Sequence, residues 1–282
     1  MFFRSLKIFI LVLALLGIAG CLHTGGTLPS VVQGRSLASF PKTGISVNVR
    51  PGISMNLVLI TPNDPHAVLV MLPGGSGLAD ISGTEIGIRR GFVGANAESF
   101  ASQGLAVAVI DAASDHSRGM PPSYRQTPAH LVEVDAVIAR IKKETGLPVW
   151  MLGVSRSTLS VTHVAVNTKV GIDGFIVLSS VTNIPPYSGV INVADGELER
   201  IRVPALVVAH EKDSCRGTPP SGSRKIVGKL TNSSEAIVKL FSGGFAEAGN
   251  PCLPGSHHTF NGIQDQVVTF IVRFIKAHPH NE

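Results

Sequence analysis

The segment Gly153–Ser157 reads Gly-Val-Ser-Arg-Ser and lies between an apolar run and a stretch with helical periodicity. A serine on a sharp strand-to-helix turn projects its hydroxyl away from the backbone and beside a helix N-terminus. Such a turn needs small residues two positions before and two after the serine, and Gly153 and Ser157 meet that need. The pattern predicts that Ser155 acts as a nucleophile. The alternative is that Ser155 caps the following helix.

A glycine-rich loop, Pro73–Gly77, follows another apolar run. Glycine allows the backbone to turn its N–H groups towards a ligand and to approach that ligand closely. A phosphate-binding loop is not indicated, because neither Gly-Lys-Ser/Thr nor the spacing G-x-G-x-x-G occurs here. A flexible turn without a ligand is the other interpretation.

Acidic and basic side chains occur in two later segments. Glu211 and Asp213 follow an apolar run, and His257 and His258 precede the last segment with helical periodicity. A hydroxyl, an imidazole and a carboxylate are the three groups that catalyse acyl transfer in serine hydrolases. Glu211, Asp213 and His210 could instead bind a metal, but no second ligand cluster at metal-binding spacing supports that reading. No metal is therefore predicted.

The order of these groups along the chain resembles the α/β-hydrolase superfamily, in particular exported enzymes similar to dienelactone hydrolases and esterases. The resemblance covers roughly residues 45–275, although four short motifs carry it. The chain departs from the family at Ser157, where the usual G-x-S-x-G motif has glycine. The resemblance implies an α/β-hydrolase fold, with a mostly parallel central sheet and helices on both faces, and it implies no cofactor.

The resemblance also assigns catalytic roles. Ser155 becomes the nucleophile, Asp213 the triad acid and His258 the base. Glu211 is the second candidate for the acid, and His257 competes for the role of base. The five residues that begin at His258 align with a stretch resembling H-G-F-x-G, which precedes the last helix in some exported members, and this favours His258.

An oxyanion hole is implied in the same way. One donor would be the backbone N–H of Arg156, directly after the nucleophile, and the other the N–H of Gly75 or Ser76. The implied reaction is hydrolysis of a small-molecule ester, or less favourably an amide, through an acyl-enzyme. Two alternatives stay open: an acyltransferase that uses the same triad, and a non-catalytic, membrane-tethered binding protein on a hydrolase scaffold.

Apolar runs and helical segments alternate along the chain, which indicates a parallel sheet covered on both faces. In such sheets the functional site lies at the carboxyl ends of the strands, where the candidate segments fall. We predict strands at 45–49, 55–61, 67–72, 105–110, 149–152, 175–178, 205–209 and 236–240. We predict helices at 96–103, 128–145, 157–167 and around 263–274.

The N-terminus has the pattern of an export signal. Arg4 and Lys7 precede an apolar run of about eleven residues, too short to span a bilayer comfortably. The run ends in Ile18–Cys21, Ile-Ala-Gly-Cys, which resembles a bacterial lipobox with Cys21 as the lipidated residue. We expect a signal peptide at 1–20, a tether at 21–44 and the hydrolase domain at 45–282. The protein would be periplasmic or in the cell envelope, anchored to a membrane by lipid on Cys21.

Two cysteines remain if Cys21 carries lipid. An even pair in an oxidising compartment favours a disulfide between Cys215 and Cys252. Cys215 lies two residues after Asp213, and Cys252 lies six before His258. The bridge would therefore join the acid-bearing loop to the base-bearing loop.

Composition excludes several classes of protein. Of the 282 residues, 44% are hydrophobic and 15% charged, which rules out a disordered chain. The net charge of +5 comes without a dense Lys/Arg cluster, so a nucleic-acid partner is not predicted. We expect Arg125, His130 and Asp135 to lie on a solvated face, and Asp111 and Asp115 to border the site.

Overall fold

The computed structural model describes residues 40–88, 91–185, 188–247 and 249–279. The predicted signal peptide, Cys21 and most of the predicted tether lie outside these residues, so export and lipidation stay predictions. The first strand begins at Lys42, three residues before the predicted start of the domain.

Eight strands of the described chain form one sheet, and two short strands form a separate hairpin. The sheet strands are β1 (Lys42–Arg50), β2 (Ile53–Ile60), β3 (Val68–Leu72), β6 (Ala106–Ala113), β7 (Val149–Val154), β8 (Gly174–Leu178), β9 (Ala205–His210) and β10 (Ala236–Phe241). The hairpin strands are β4 (Ile81–Ser82) and β5 (Glu85–Ile86). The order across the sheet is β1-β2-β6-β3-β7-β8-β9-β10.

The sheet is parallel from β6 to β10, and β1 and β2 are antiparallel to their neighbours. Every residue of β3, β7, β8 and β9 is buried. Continuous apolar runs are expected for strands that are covered on both faces, because neither face meets water. The predicted architecture is therefore confirmed.

Five α-helices of the described chain cover the two faces. They are α1 (Phe92–Ala101), α2 (Pro128–Thr145), α3 (Ser157–Asn167), α4 (Gly222–Lys229) and α5 (Gln264–Ala277). One apolar cluster packs α1 and α5 on one face of the sheet, and a second packs α2, α3 and α4 on the other. None of the described helices is both long and apolar enough to cross a membrane.

Local signals explain the helix ends that the sequence predicted. The Thr127 hydroxyl accepts a hydrogen bond from the His130 N–H at the start of α2, and Gly146 ends that helix in the left-handed region at φ 65°. Helix α1 begins four residues earlier than predicted, and α4 and the β4–β5 hairpin were not predicted. Helix α4 has only eight residues, of which Arg224, Lys225 and Lys229 are charged, so few apolar residues mark it in the sequence.

Candidate active site

Ser155 lies on the turn between β7 and α3, at a positive φ of 56° that few non-glycine residues adopt. The turn brings the backbone at Ser157 against Gly153, where a Cβ atom would lie 2.7 Å from the Ser157 carbonyl oxygen. Glycine at 153 is therefore a steric requirement of this bend. The half-exposed Ser155 side chain is placed beside the start of α3, as the sequence predicted.

Ser157, which stands where the family motif has glycine, is fully buried and its hydroxyl is bonded within the turn. Its Oγ atom accepts the Val154 N–H at 2.7 Å and donates to the Leu72 carbonyl at 2.7 Å. The hydroxyl therefore links the turn to the end of β3. A serine at this position satisfies its own polar group and is compatible with the tight bend.

Asp213 and His258, which are 45 residues apart in sequence, meet in the structure. The Nδ1 atom of His258 lies 2.9 Å from Oδ2 of Asp213, and both side chains are buried. The other carboxylate oxygen, Oδ1, accepts the backbone N–H of Cys215 at 2.9 Å. A carboxylate that accepts a hydrogen bond from Nδ1–H favours the tautomer in which Nε2 is unprotonated and carries the lone pair.

The Nε2 atom of His258 is buried and makes no hydrogen bond within the described residues. Ser155 and His258 line the same cavity, and no hydrogen bond joins their side chains in the part of the chain described here. His258, with no hydrogen bond at Nε2 among the described residues, therefore shares a cavity with Ser155.

Two residues that position the Asp213–His258 pair were not predicted from the sequence. The Thr218 hydroxyl donates to Oδ2 of Asp213 at 3.0 Å and lies 3.1 Å from Nδ1 of His258. The Ser179 hydroxyl, just after β8, donates to the backbone carbonyl of His258 at 2.8 Å. Ser and Thr are common in loops, so their types offered no signal, although Ser179 does follow the end of a predicted strand.

The structure separates the two adjacent histidines. His257 stacks on His210, with ring centroids 4.3 Å apart. His258, not His257, makes the hydrogen bond to Asp213. His210 donates from Nε2 to the Gly243 carbonyl and accepts the Lys212 N–H at Nδ1. Burial, together with the nearby His210 and Lys212, lowers the pKa of His257.

The second acid candidate lies elsewhere. Glu211 is exposed and directly follows β9, whereas Asp213 is buried one turn further along, against His258. Within the described residues, no group of three or more His, Cys, Asp or Glu side chains is arranged to hold a metal ion.

The loop Pro73–Gly77 forms a tight turn at the end of β3, closed by a bond from the Gly77 N–H to the Gly74 carbonyl. The Ser76 carbonyl accepts the Met120 N–H at 2.8 Å. The N–H groups of Ser76 and Arg156 donate to no protein acceptor in the described part of the chain. Gly75, Ser76 and Arg156, the residues predicted to supply the oxyanion donors, line the same cavity as Ser155.

Asp111 binds the segment that follows this loop. Its carboxylate accepts the backbone N–H groups of Ala79 and Ile81, each at 2.9 Å, and so ties the chain after the loop to the end of β6. Asp115 instead pairs with Arg50 at 2.6 Å. Neither residue lines the cavity that contains Ser155.

A disulfide joins Cys215 to Cys252, as predicted. Both cysteines line the cavity, and the bridge links the loop after β9, which carries Asp213, to the segment before His258. The cavity has a volume of about 560 Å³, a size typical of small-molecule sites. Much of its wall is apolar, formed by Ile88, Phe92, Val93, Val181, Ile184, Leu253 and Pro254.

The expectation of a solvated face for Arg125 and His130 was wrong, because both side chains are fully buried. Arg125 lies on a 3-10 helix, Pro122–Gln126, that packs against α3. His130 contacts Ser160 at 2.9 Å and Glu133 at 3.3 Å. Asp135 is half-buried and accepts bonds from the Thr168 hydroxyl and the Lys169 N–H.

Comparison with known proteins finds similarity at the level of structure. No family model and no curated protein matches the sequence. A cold-adapted esterase from an Arctic intertidal metagenomic library has a TM-score of 0.60 at 14% identity, over 86% of this chain and 96% of that chain. Dienelactone hydrolase from Anabaena variabilis has a TM-score of 0.61 at 13% identity, over 86% and 100%.

An esterase of Pyrococcus furiosus has a TM-score of 0.61 at 11% identity, over 86% of this chain and 94% of that chain. At such identities the likeness shows the fold, and this fold is the one that the sequence predicted.

Proposed function

We propose that this chain, which has the α/β-hydrolase fold, is an exported serine hydrolase that cleaves ester bonds through Ser155, His258 and Asp213. The observation that carries the proposal is the buried Asp213–His258 pair, in which Nδ1 is bonded at 2.9 Å and Nε2 makes no hydrogen bond to a described residue, while His258 and Ser155 line one cavity. A buried imidazole oriented by a carboxylate is the general base that a serine nucleophile requires.

The proposed reaction begins when Nε2 of His258 accepts the Ser155 proton as Oγ attacks the ester carbonyl. Asp213 keeps the proton on Nδ1 and stabilises the imidazolium that forms. The oxyanion is held by the N–H of Arg156 and an N–H of the Gly75–Ser76 segment. The tetrahedral intermediate then collapses, and the leaving alcohol takes the proton from His258. Water repeats these steps on the acyl-enzyme and releases the acid.

No hydrogen bond joins the side chains of Ser155 and His258. Catalytic hydrogen bonds are often long without substrate and tighten when the substrate binds. We therefore expect this contact to form in the Michaelis complex, where the ester displaces water from the cavity.

The cavity favours a small ester with an apolar acyl or alcohol group. Its volume of about 560 Å³ suits such a molecule, and its apolar wall would bind one through the hydrophobic effect. Aromatic residues make up only 5% of the chain, which does not favour a sugar-stacking platform. Two of the similar structures are esterases, which agrees with an ester substrate.

Labelling with a fluorophosphonate probe, followed by assays with p-nitrophenyl esters of rising chain length, tests the proposal. Wild type should be labelled and active, and Ser155→Ala should lose both properties. Ser180→Ala is the matched control, because Ser180 is a buried serine just after β8 and outside the lining of the cavity. Folded wild type that neither labels nor hydrolyses any ester would overturn the proposal and favour the binding-protein alternative. Acyl transfer to added alcohols in preference to water would favour the acyltransferase.

The proposed export and lipid anchor rest on the N-terminal pattern. Arg4, Lys7, the apolar run and Cys21 occur in the order that lipoprotein signals require. The mass of the N-terminal peptide of protein purified from envelope membranes tests the anchor. We expect the chain to begin at a Cys21 that carries acyl groups, and Cys21→Ala to release the protein from the membrane. An unmodified Met1 would contradict lipidation and cleavage of the signal peptide.

A further inference from the structure

Arg125 is a buried cation behind the glycine-rich loop, and the mechanism above leaves it without a role. Its side chain is 0% exposed. The Nη2 atom donates to the Gly75 carbonyl at 3.1 Å, and Nη1 lies 3.4 Å from the Ser160 hydroxyl. The Nε atom makes no hydrogen bond to any described residue. The guanidinium is therefore held against one peptide group of the loop.

The loop sequence makes room for this guanidinium. A Cβ atom at Gly77 would lie 2.8 Å from Nη2 of Arg125 and 2.6 Å from the Met120 side chain. Gly77 also adopts a φ of +85°, which favours glycine. The last glycine of the loop is thus needed both for the turn and for the approach of Arg125.

Arg125 forms no ion pair with any acidic side chain of the described chain. Glu133, a buried acid on α2, is bonded to Arg50, Tyr124 and His130 instead. Burial, and then the positive charge of Arg156, lower the pKa of Arg125 to about 10, so it remains charged at neutral pH. An unpaired buried cation costs folding free energy, so stability alone does not account for it.

The bond to Gly75 determines where the next N–H points. In a trans peptide the carbonyl of one residue and the N–H of the next are nearly antiparallel in one plane. No described peptide bond is cis. With the Gly75 carbonyl drawn to Arg125, the Ser76 N–H points away from Arg125. Ser76 and Ser155 line the cavity, whereas Arg125 does not.

We propose that Arg125 is a positioning residue that orients and polarises the Gly75–Ser76 peptide, so that the Ser76 N–H is the second oxyanion donor. This rests on the proposed hydrolase function and selects Ser76 over Gly75. A charged donor on the carbonyl polarises the peptide and makes its N–H a stronger donor. The positive charge also favours the negative charge that develops on the substrate oxygen, and burial of Arg125 reduces the screening of this attraction by water.

The test compares Arg125→Met, Arg125→Lys and Glu133→Gln with wild type. We would measure kcat and KM with a p-nitrophenyl ester, binding of a trifluoromethyl ketone as a tetrahedral mimic, and Tm. Glu133→Gln is the matched control, because it disturbs the buried contacts of Tyr124 and His130 without touching Gly75.

We expect Arg125→Met to lower kcat about 10- to 100-fold with KM within about twofold, because the oxyanion forms only in the transition state. Affinity for the trifluoromethyl ketone should fall by a similar factor. Arg125→Lys, which keeps a buried cation, should retain at least about threefold more activity than Arg125→Met. Glu133→Gln should lower Tm but leave kcat within about twofold.

Folded Arg125→Met with wild-type kcat, or Glu133→Gln with an equal loss of kcat, would overturn the role of Arg125. Either result would leave the proposed hydrolase intact, provided that wild type is labelled and active. Wild type without labelling or activity would instead remove the proposed function, and this inference with it.

Discussion

At the residue scale, the Asp213 carboxylate holds together three parts of the site. Its oxygens accept bonds from the Cys215 N–H, the Thr218 hydroxyl and Nδ1 of His258. A carboxylate with this many donors is rigid, and it sets the ring orientation of the histidine. The Thr218 hydroxyl restrains Oδ2, the carboxylate oxygen that contacts the imidazole.

Replacing Asp213 with asparagine should separate this orienting role from packing. The amide can donate to Nδ1, which leaves the proton on Nε2, where it blocks acceptance of the Ser155 proton. We expect kcat to fall about 10³- to 10⁴-fold while the protein stays folded. Glu211→Gln is the control, because Glu211 is exposed and its loss should change kcat less than about twofold. A larger loss in Glu211→Gln than in Asp213→Asn would transfer the role of acid to Glu211.

At the scale of elements, the site depends on loops that the parallel strands bring to one edge. β3, β7 and β9 end at the loops that carry Gly75, Ser155 and Asp213. The segment with His258 is longer and precedes α5, so its position is the least determined by the sheet. The Cys215–Cys252 disulfide ties this segment to the loop after β9.

The double variant Cys215→Ser, Cys252→Ser tests what the disulfide contributes to stability and activity. The cysteines are 37 residues apart, for which loop-closure entropy predicts a loss of about 4 kcal/mol in the free energy of unfolding. We also expect lower kcat, because Asp213 and His258 would lose a shared constraint. Urea unfolding and ester hydrolysis measure both effects. Wild type under reductant should behave like the variant. Unchanged stability and activity would show that the bridge has no such role.

For the whole molecule, histidines that folding partly or fully removes from water shape the response to acid. The pKa values of His66, His130, His163 and His257 are lowered, in each case mainly by burial. Burial would raise the pKa of Glu133, but hydrogen bonds from His130, Tyr124 and Arg50 together outweigh burial and lower it. Two groups on α2, His130 and Glu133, therefore have lowered pKa values and bind a proton only at a pH below their ordinary pKa.

Acid should destabilise the protein below about pH 6.5, the ordinary histidine pKa. Under those conditions the unfolded chain binds more protons than the folded one. The free energy of unfolding therefore decreases as the pH is lowered. Tm measured from pH 8 to pH 5 should be flat at the upper end and then decline. His163→Gln removes one of these groups and should make the decline shallower. A Tm that rises on acidification would contradict the sign of these shifts.

Much of the fold could be predicted because its signals are local. Continuous apolar runs in β3, β7, β8 and β9 indicated buried parallel strands, and Thr127 and Gly146 marked the ends of α2. The elbow at Ser155 was predictable because small flanking residues are a steric condition of the turn itself. Helix α4 lacked such a signal because it is short and mostly polar, and it packs against β9 and β10.

The sequence by itself determined the class of fold, the order of nucleophile, acid and base candidates, and the cysteine pair, because each depends on residue type and near neighbours. Only the tertiary structure decided which histidine meets Asp213, that Thr218 and Ser179 hold that pair, and that Arg125 is buried against Gly75. These contacts join residues up to 79 positions apart. Their geometry is set by how helices and loops pack on the sheet, and that information is absent from any single stretch of the chain.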